Sequence, residues 1–139
     1  MIFYTFFYYS FMEFKKSIDI DDPDRIWSII KDIDRIPEFW HGTSSITKSG
    51  DSYIIKFAFG GTGKVRFRID DERMAVYEEY LKGPIRGYTL NRIIKNNDKY
   101  YLESIWNVRL SFIYSILSSR VQRHFESGTE NALKRIKNA

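Results

Sequence analysis

The sequence predicts an α+β fold: a bent antiparallel sheet of six or seven strands, two short helices at one end, and a long C-terminal helix across the concave face. Three observations carry this. Between Ser17 and Trp40 a strand runs almost without linker into a capped helix and a second short helix. From Ser44 to Leu110 apolar residues recur at the period of two that marks a half-buried strand. From Ser111 or Phe112 to Ile136 the period becomes helical. A chain of 139 residues has room for one core, not two. Residues 12–139 are read as a single domain and residues 1–11 as an N-terminal extension.

The extension, MIFYTFFYYSF, holds seven aromatic residues and no charge. It is too short to span a bilayer and lacks the basic start and cleavage site of a secretory signal. No stable membrane insertion is therefore expected. Met12 opens MEFKKSIDI as a natural start would, which places residues 1–11 upstream. An extra β segment on the sheet is the alternative.

Ser17-Ile18-Asp19-Ile20 alternates as a strand does. Asp22 then suits an N-cap and Pro23 the first helical position. Ile26, Trp27, Ile29, Ile30 and Ile33 share one helical face. Pro37 punctuates, and Phe39-Trp40 closes the second short helix. Ser44 to Lys48 forms a short strand, and Ser49-Gly50-Asp51 a turn. Tyr53, Ile55, Phe57 and Phe59 take one face of the next strand. Gly60 to Gly63 reads as a hairpin turn, since no Lys-Ser/Thr pair and no helix follow to make a phosphate loop. Lys64 to Ile69 places Val65, Phe67 and Ile69 inward and its basic residues outward. Met74 to Leu81, Gly87 to Lys95 and Tyr100 to Leu110 complete the sheet. The last of these sets Leu102, Ser104, Trp106, Val108 and Leu110 on one face. On the final helix, Ile113, Leu117, Val121, His124, Gly128, Ala132 and Ile136 form the inward stripe, with Ser111 as its N-cap.

Composition narrows the function. The chain is 43% hydrophobic and 29% charged, as a globular domain is. Aromatics reach 17%, enough to line a cavity as well as fill a core. The absence of cysteine excludes disulfides, thiolate metal sites and cysteine nucleophiles, and a cytoplasmic location is expected. The net charge of +4 is spread along the chain, so no nucleic-acid partner is expected. No dinucleotide fingerprint, nucleophile elbow or metal-ligand spacing occurs, and neither cofactor nor metal is expected.

Few polar residues fall on inward faces. Glu78 shares a face with Met74, Val76 and Tyr80. Arg92 shares one with Tyr88, Leu90 and Ile94, and with a hairpin turn at Gly83 to Ile85 the two would sit nearly opposite each other and pair. His124 lies on the inward helical stripe and His41 in the loop after Trp40. Glu78, Arg92 and His124 are the candidates for proton transfer or carbonyl polarisation. The plain alternatives are solvent-facing charges, a core imidazole held by a backbone carbonyl, and an exposed loop histidine.

The order of elements resembles the START-like helix-grip superfamily, also called SRPBCC or the polyketide cyclase/dehydrase and lipid transport group. The residues that carry the resemblance are Ile18-Asp19-Ile20, Asp22-Pro23-Asp24-Arg25-Ile26-Trp27 and Asp32-Ile33-Asp34-Arg35-Ile36-Pro37-Glu38-Phe39-Trp40. It implies a cavity between the sheet and the terminal helix. Trp40, His41, Phe57, Phe59, Phe67 and Tyr80 would line it, together with Tyr88, Trp106, Phe112, Leu117, Val121 and His124. The implied role is binding or transport of a hydrophobic small molecule such as a lipid, an isoprenoid quinone or a polyketide-like ring compound. A cyclase/aromatase-type enzyme and a protein-interaction domain resembling ribosome-association relatives are the alternatives.

Overall fold

The computed structural model describes residues 9–111 and 118–139. Among the described residues seven strands are present: β1 (Tyr9–Ile20), β2 (Thr43–Ser49), β3 (Ser52–Phe57), β4 (Thr62–Asp70), β5 (Ala75–Lys82), β6 (Ile85–Asn96) and β7 (Lys99–Ser111). They form one open sheet in the order β1-β7-β6-β5-β4-β3-β2, every neighbouring pair antiparallel. Short turns join β2 through β7. The excursion from β1 to β2 holds α1 (Pro23–Ile30), a 3-10 turn (Ile33–Arg35) and α2 (Ile36–Phe39). The terminal helix α3 (Ser118–Lys137) packs along β1 and touches α1 and α2.

Local chemistry explains the helical corner. The Asp22 carboxylate accepts the Arg25 N–H at 3.2 Å, and Pro23 presets the first turn. Ile26, Trp27 and Ile29 then face inward. They join Ile20, Ile33, Phe39, Val76, Ile93, Leu102, Leu133 and Ile136 in a dry cluster that binds this end of the sheet to α3. Asp22→Ala is expected to cost about 1 kcal/mol, read as a lower urea midpoint with an unchanged slope.

A second cluster sits at the other end, around Met12, Ile55, Phe57, Val65, Tyr80, Ile85, Trp106, Val108 and Leu110. Trp40, Ile46, Tyr53 and Phe67 touch both clusters. Two packed ends with a helix laid between them leave the middle of the concave face to be filled by something else.

Several expectations need correction. Glu78 lies opposite Thr89, not Arg92. Strand parity therefore turns Arg92 to the other face, where its guanidinium meets the Glu103 carboxylate at 2.8 Å. Tyr88 has the same parity and is 43% exposed. The inward residues of β6 are Ile85, Gly87, Thr89, Asn91 and Ile93. The helical stripe is also rotated. Thr129, Ala132, Leu133 and Ile136 are buried and Phe125 half-buried, whereas His124 and Gly128 are exposed. Ile69 is 41% exposed at the end of β4, beyond reach of either cluster. Ser111 ends β7, its N–H bonded to the Pro84 carbonyl. Residues 9–11 of the aromatic extension pair with residues 109–111 as the first rungs of β1. Phe112, Ile113 and Leu117 lie outside the described residues.

A candidate ligand cavity between sheet and helix

A cavity of about 480 Å³ opens on the concave face. Its floor is β5, β6 and β7, its roof is α3, and its rim is the loop that follows α2. Each wall follows from a feature of the sequence. Glu78 and Tyr80 project from β5 two residues apart, so they share the concave side. Thr89 and Asn91 project likewise from β6, and Trp106 from β7, which pairs with Thr89. Trp40, His41, Gly42 and Thr43 close the rim where Pro37 and the short α2 bring the chain back to β2. From α3 come His124, Phe125, Ser127, Gly128, Thr129, Asn131 and Arg135.

The aromatic rings are organised around Trp106. Phe14 stacks on it at 5.6 Å, Phe125 meets it edge-on at 5.4 Å, and Trp40 lies 6.2 Å away. Phe57, the last residue of β3, stacks on Phe59 at 5.0 Å, and Phe59 meets Phe125 edge-on at 6.1 Å. Such rings give large apolar area with little conformational freedom to lose on binding.

A polar strip crosses this floor. The Thr89 hydroxyl donates to the Glu78 carboxylate at 3.4 Å. Burial pushes the Glu78 carboxyl up from 4.5 to about 7, against hydrogen bonds from Tyr80 and Thr89 that favour its charge. Burial, then the neighbouring Glu78, holds the Tyr80 phenol well above its ordinary value. Asn91 Oδ1, Ser104 Oγ and Trp106 Nε1 are buried and have no hydrogen-bond partner among the described residues. Arg135 lines the cavity and donates to the Phe39 carbonyl at 3.0 Å, tying α3 to α2. No group of three His, Asp or Glu residues capable of holding a metal occurs among the described residues.

Of the residues expected at the site, Trp40, His41, Phe57, Phe59, Glu78, Tyr80, Trp106 and His124 line the cavity. Val121 is half-buried against the second cluster. Phe67 meets Tyr53 edge-on at 5.2 Å and lines a separate cleft of about 20 Å³, which Glu78 and Asn91 also reach. Tyr88 and Arg92 face away. Thr89, Asn91, Phe125, Thr129 and Arg135 were not foreseen. One signal for the first two was available: Gly87 inside a strand marks close backbone approach, and it shares parity with them.

The fold is that of the START-like helix-grip superfamily. The protein XoxI from Bacillus cereus aligns with a TM-score of 0.68 at 14% identity, over 91% of this chain and 94% of that one. A START superfamily protein from Mycobacterium smegmatis gives 0.63 at 11% identity, over 89% and 98%. The Zhui aromatase/cyclase from Streptomyces sp. R1128 gives 0.60 at 14%, over 91% and 94%. No family model matches the sequence, and no curated protein matches it. Among the described residues no helix is long and apolar enough to cross a membrane.

Proposed function

We propose that the protein binds a hydrophobic small molecule, of the lipid, isoprenoid quinone or polyketide-like kind, between the sheet and α3. The cavity of about 480 Å³ carries this reading. Packed interiors leave few voids larger than a water molecule, whereas small-molecule sites span roughly 300–1,000 Å³ with apolar and aromatic walls. The cysteine-free sequence fits a reducing, cytoplasmic setting.

The test uses N-phenyl-1-naphthylamine, a neutral dye that brightens in apolar surroundings. Wild type is expected to bind it saturably, with energy transfer from the wall tryptophans Trp40 and Trp106. Gly128 provides the blocking variant, because a Cβ there meets nothing within 4 Å. Gly128→Leu should project into the roof of the cavity and weaken dye binding roughly tenfold, equivalent to about 1.4 kcal/mol. Gly128→Ala should stabilise the fold by about 0.5–1 kcal/mol through helix propensity alone. Equal dye binding by wild type and Gly128→Leu would remove the cavity from the proposal.

A cyclase/aromatase-type activity is the second reading, favoured by a carboxyl held near 7 beside a tyrosine on the cavity floor. It predicts that a poly-β-ketone thioester is converted to a cyclised product by wild type and not by Glu78→Gln. Product formation undiminished in Glu78→Gln sinks it.

A further inference from the structure

We infer that the ligand carries a protonated amine, which docks on Glu78 and Asn91 while its apolar body lies among the rings. This rests on the cavity reading and adds the chemical class of the head group.

Three observations converge on it. Glu78 is 8% exposed and faces the cavity, yet it forms no ion pair among the described residues. Its donors are two neutral hydroxyls, those of Tyr80 and Thr89, the latter long at 3.4 Å. A buried carboxyl without a cation is costly to ionise, and proteins ordinarily supply a partner. Asn91 Oδ1, on the adjacent strand, is a second buried acceptor with no donor. Glu78 and Asn91 Oδ1 thus offer two acceptors side by side, which an ammonium answers with three donors and a charge, while Trp106 Nε1 is left for an acceptor elsewhere on the ligand.

The walls point the same way. Trp40, Trp106, Phe57, Tyr80 and Phe125 line the same cavity as Glu78. Aromatic faces attract cations within about 6 Å of the ring, most strongly once water is excluded. An apolar amine would use the carboxylate, the carbonyl of Asn91 and the ring faces together. A neutral ketone or quinone would answer Trp106 Nε1 but leave Asn91 Oδ1 without a donor and Glu78 without a cation.

Other charged groups reach the same space. Arg135 and His124 enter from α3 and His41 from the rim, while Arg35 lines the small cleft beside Glu78. Arg135 is engaged by the Phe39 carbonyl. Burial, not a nearby cation, dominates the Glu78 carboxyl.

The experiment compares 2-(1-naphthyl)ethylamine with 2-(1-naphthyl)ethanol, which differ only in the head group, as competitors of the naphthylamine dye at pH 7. In wild type the amine should displace the dye at roughly one-tenth the concentration of the alcohol, a preference of about 1.4 kcal/mol. In Glu78→Gln the ratio of the two should fall to near one. Because that variant changes a buried group, a second measurement uses wild type alone. Calorimetry in two buffers of different ionisation enthalpy should show the amine releasing about half a proton at pH 7, as the half-protonated carboxyl ionises beside it. The alcohol should release none. An alcohol that binds as well as the amine, or an amine preference unchanged in Glu78→Gln, overturns the inference and leaves the cavity reading intact. If the dye itself fails to bind wild type, the cavity reading falls and takes this inference with it.

Discussion

Gly87→Ala should cost about 3–5 kcal/mol of stability, near the upper limit for one added methyl group. Two separate faults produce it. Gly87 has φ +119°, where an L side chain is strained by about 1–3 kcal/mol. A Cβ there would also overlap the Asn107 carbonyl oxygen and come within 2.9 Å of Val108 Cα. Both are backbone atoms of β7 and cannot rotate away, so overpacking adds about 1–3 kcal/mol more. The position matters for the site as well. Gly87 lies between Tyr80 and Val108 in the ladder and two residues before Thr89. Pushing β6 off β7 there would draw Thr89 away from Glu78. Gly42→Ala is the control: it lies on the cavity rim and a Cβ meets nothing within 4 Å. Its effect should stay within about 0.5 kcal/mol. Urea denaturation of the three proteins decides it. A Gly87→Ala midpoint within about 1 kcal/mol of wild type means β6 and β7 are not so closely apposed.

The sheet and the first helix were legible because their signals are local. Alternation places Leu102, Ser104, Trp106, Val108 and Leu110 on one face, and the structure agrees. Asp22-Pro23 opens α1 as expected, with the cap in place. The floor of the cavity was misread for a physical reason. Hydrophobicity alone sets the parity of β6 so that Tyr88, Leu90 and Ile94 face inward. That rule assumes the inner face meets a packed core. Here it meets a cavity, so polar residues sit inside and a tyrosine sits outside. The helix was misread differently. Ala132 and Ile136 belong both to the expected stripe and to the observed one, and only Phe125, Thr129 and Leu133 distinguish them. Its spacing of three residues from Val121 puts His124 on the expected inward stripe. The half-buried Phe125, against Trp106, fixes the actual rotation. Such distinctions depend on what lies across the space, and no spacing within one strand or helix encodes that.

Glu78→Gln should remove a pH dependence that wild type carries. The folded carboxyl is held at about 7 against an ordinary 4.5, because burial disfavours its charge. The unfolded chain therefore ionises first as pH rises. Stability from this group is complete below about pH 4.5 and is lost progressively as pH climbs through about 7. Above that the loss levels off at up to about 3 kcal/mol. Glutamine keeps an acceptor for the Thr89 and Tyr80 hydroxyls but cannot ionise. The difference in unfolding free energy, Gln variant minus wild type, should grow by about that amount between pH 4.5 and pH 8. Taking the difference cancels the titration of every carboxylate that the two proteins share. A bound amine would reverse the trend by giving the ionised carboxyl a partner inside the cavity. In its presence the wild-type loss between about pH 4.5 and 7 should shrink, while the pH profile of the Gln variant stays as it was. A flat difference without ligand would mean that water reaches Glu78 freely, and the acceptor-rich floor would lose its claim to a charged guest.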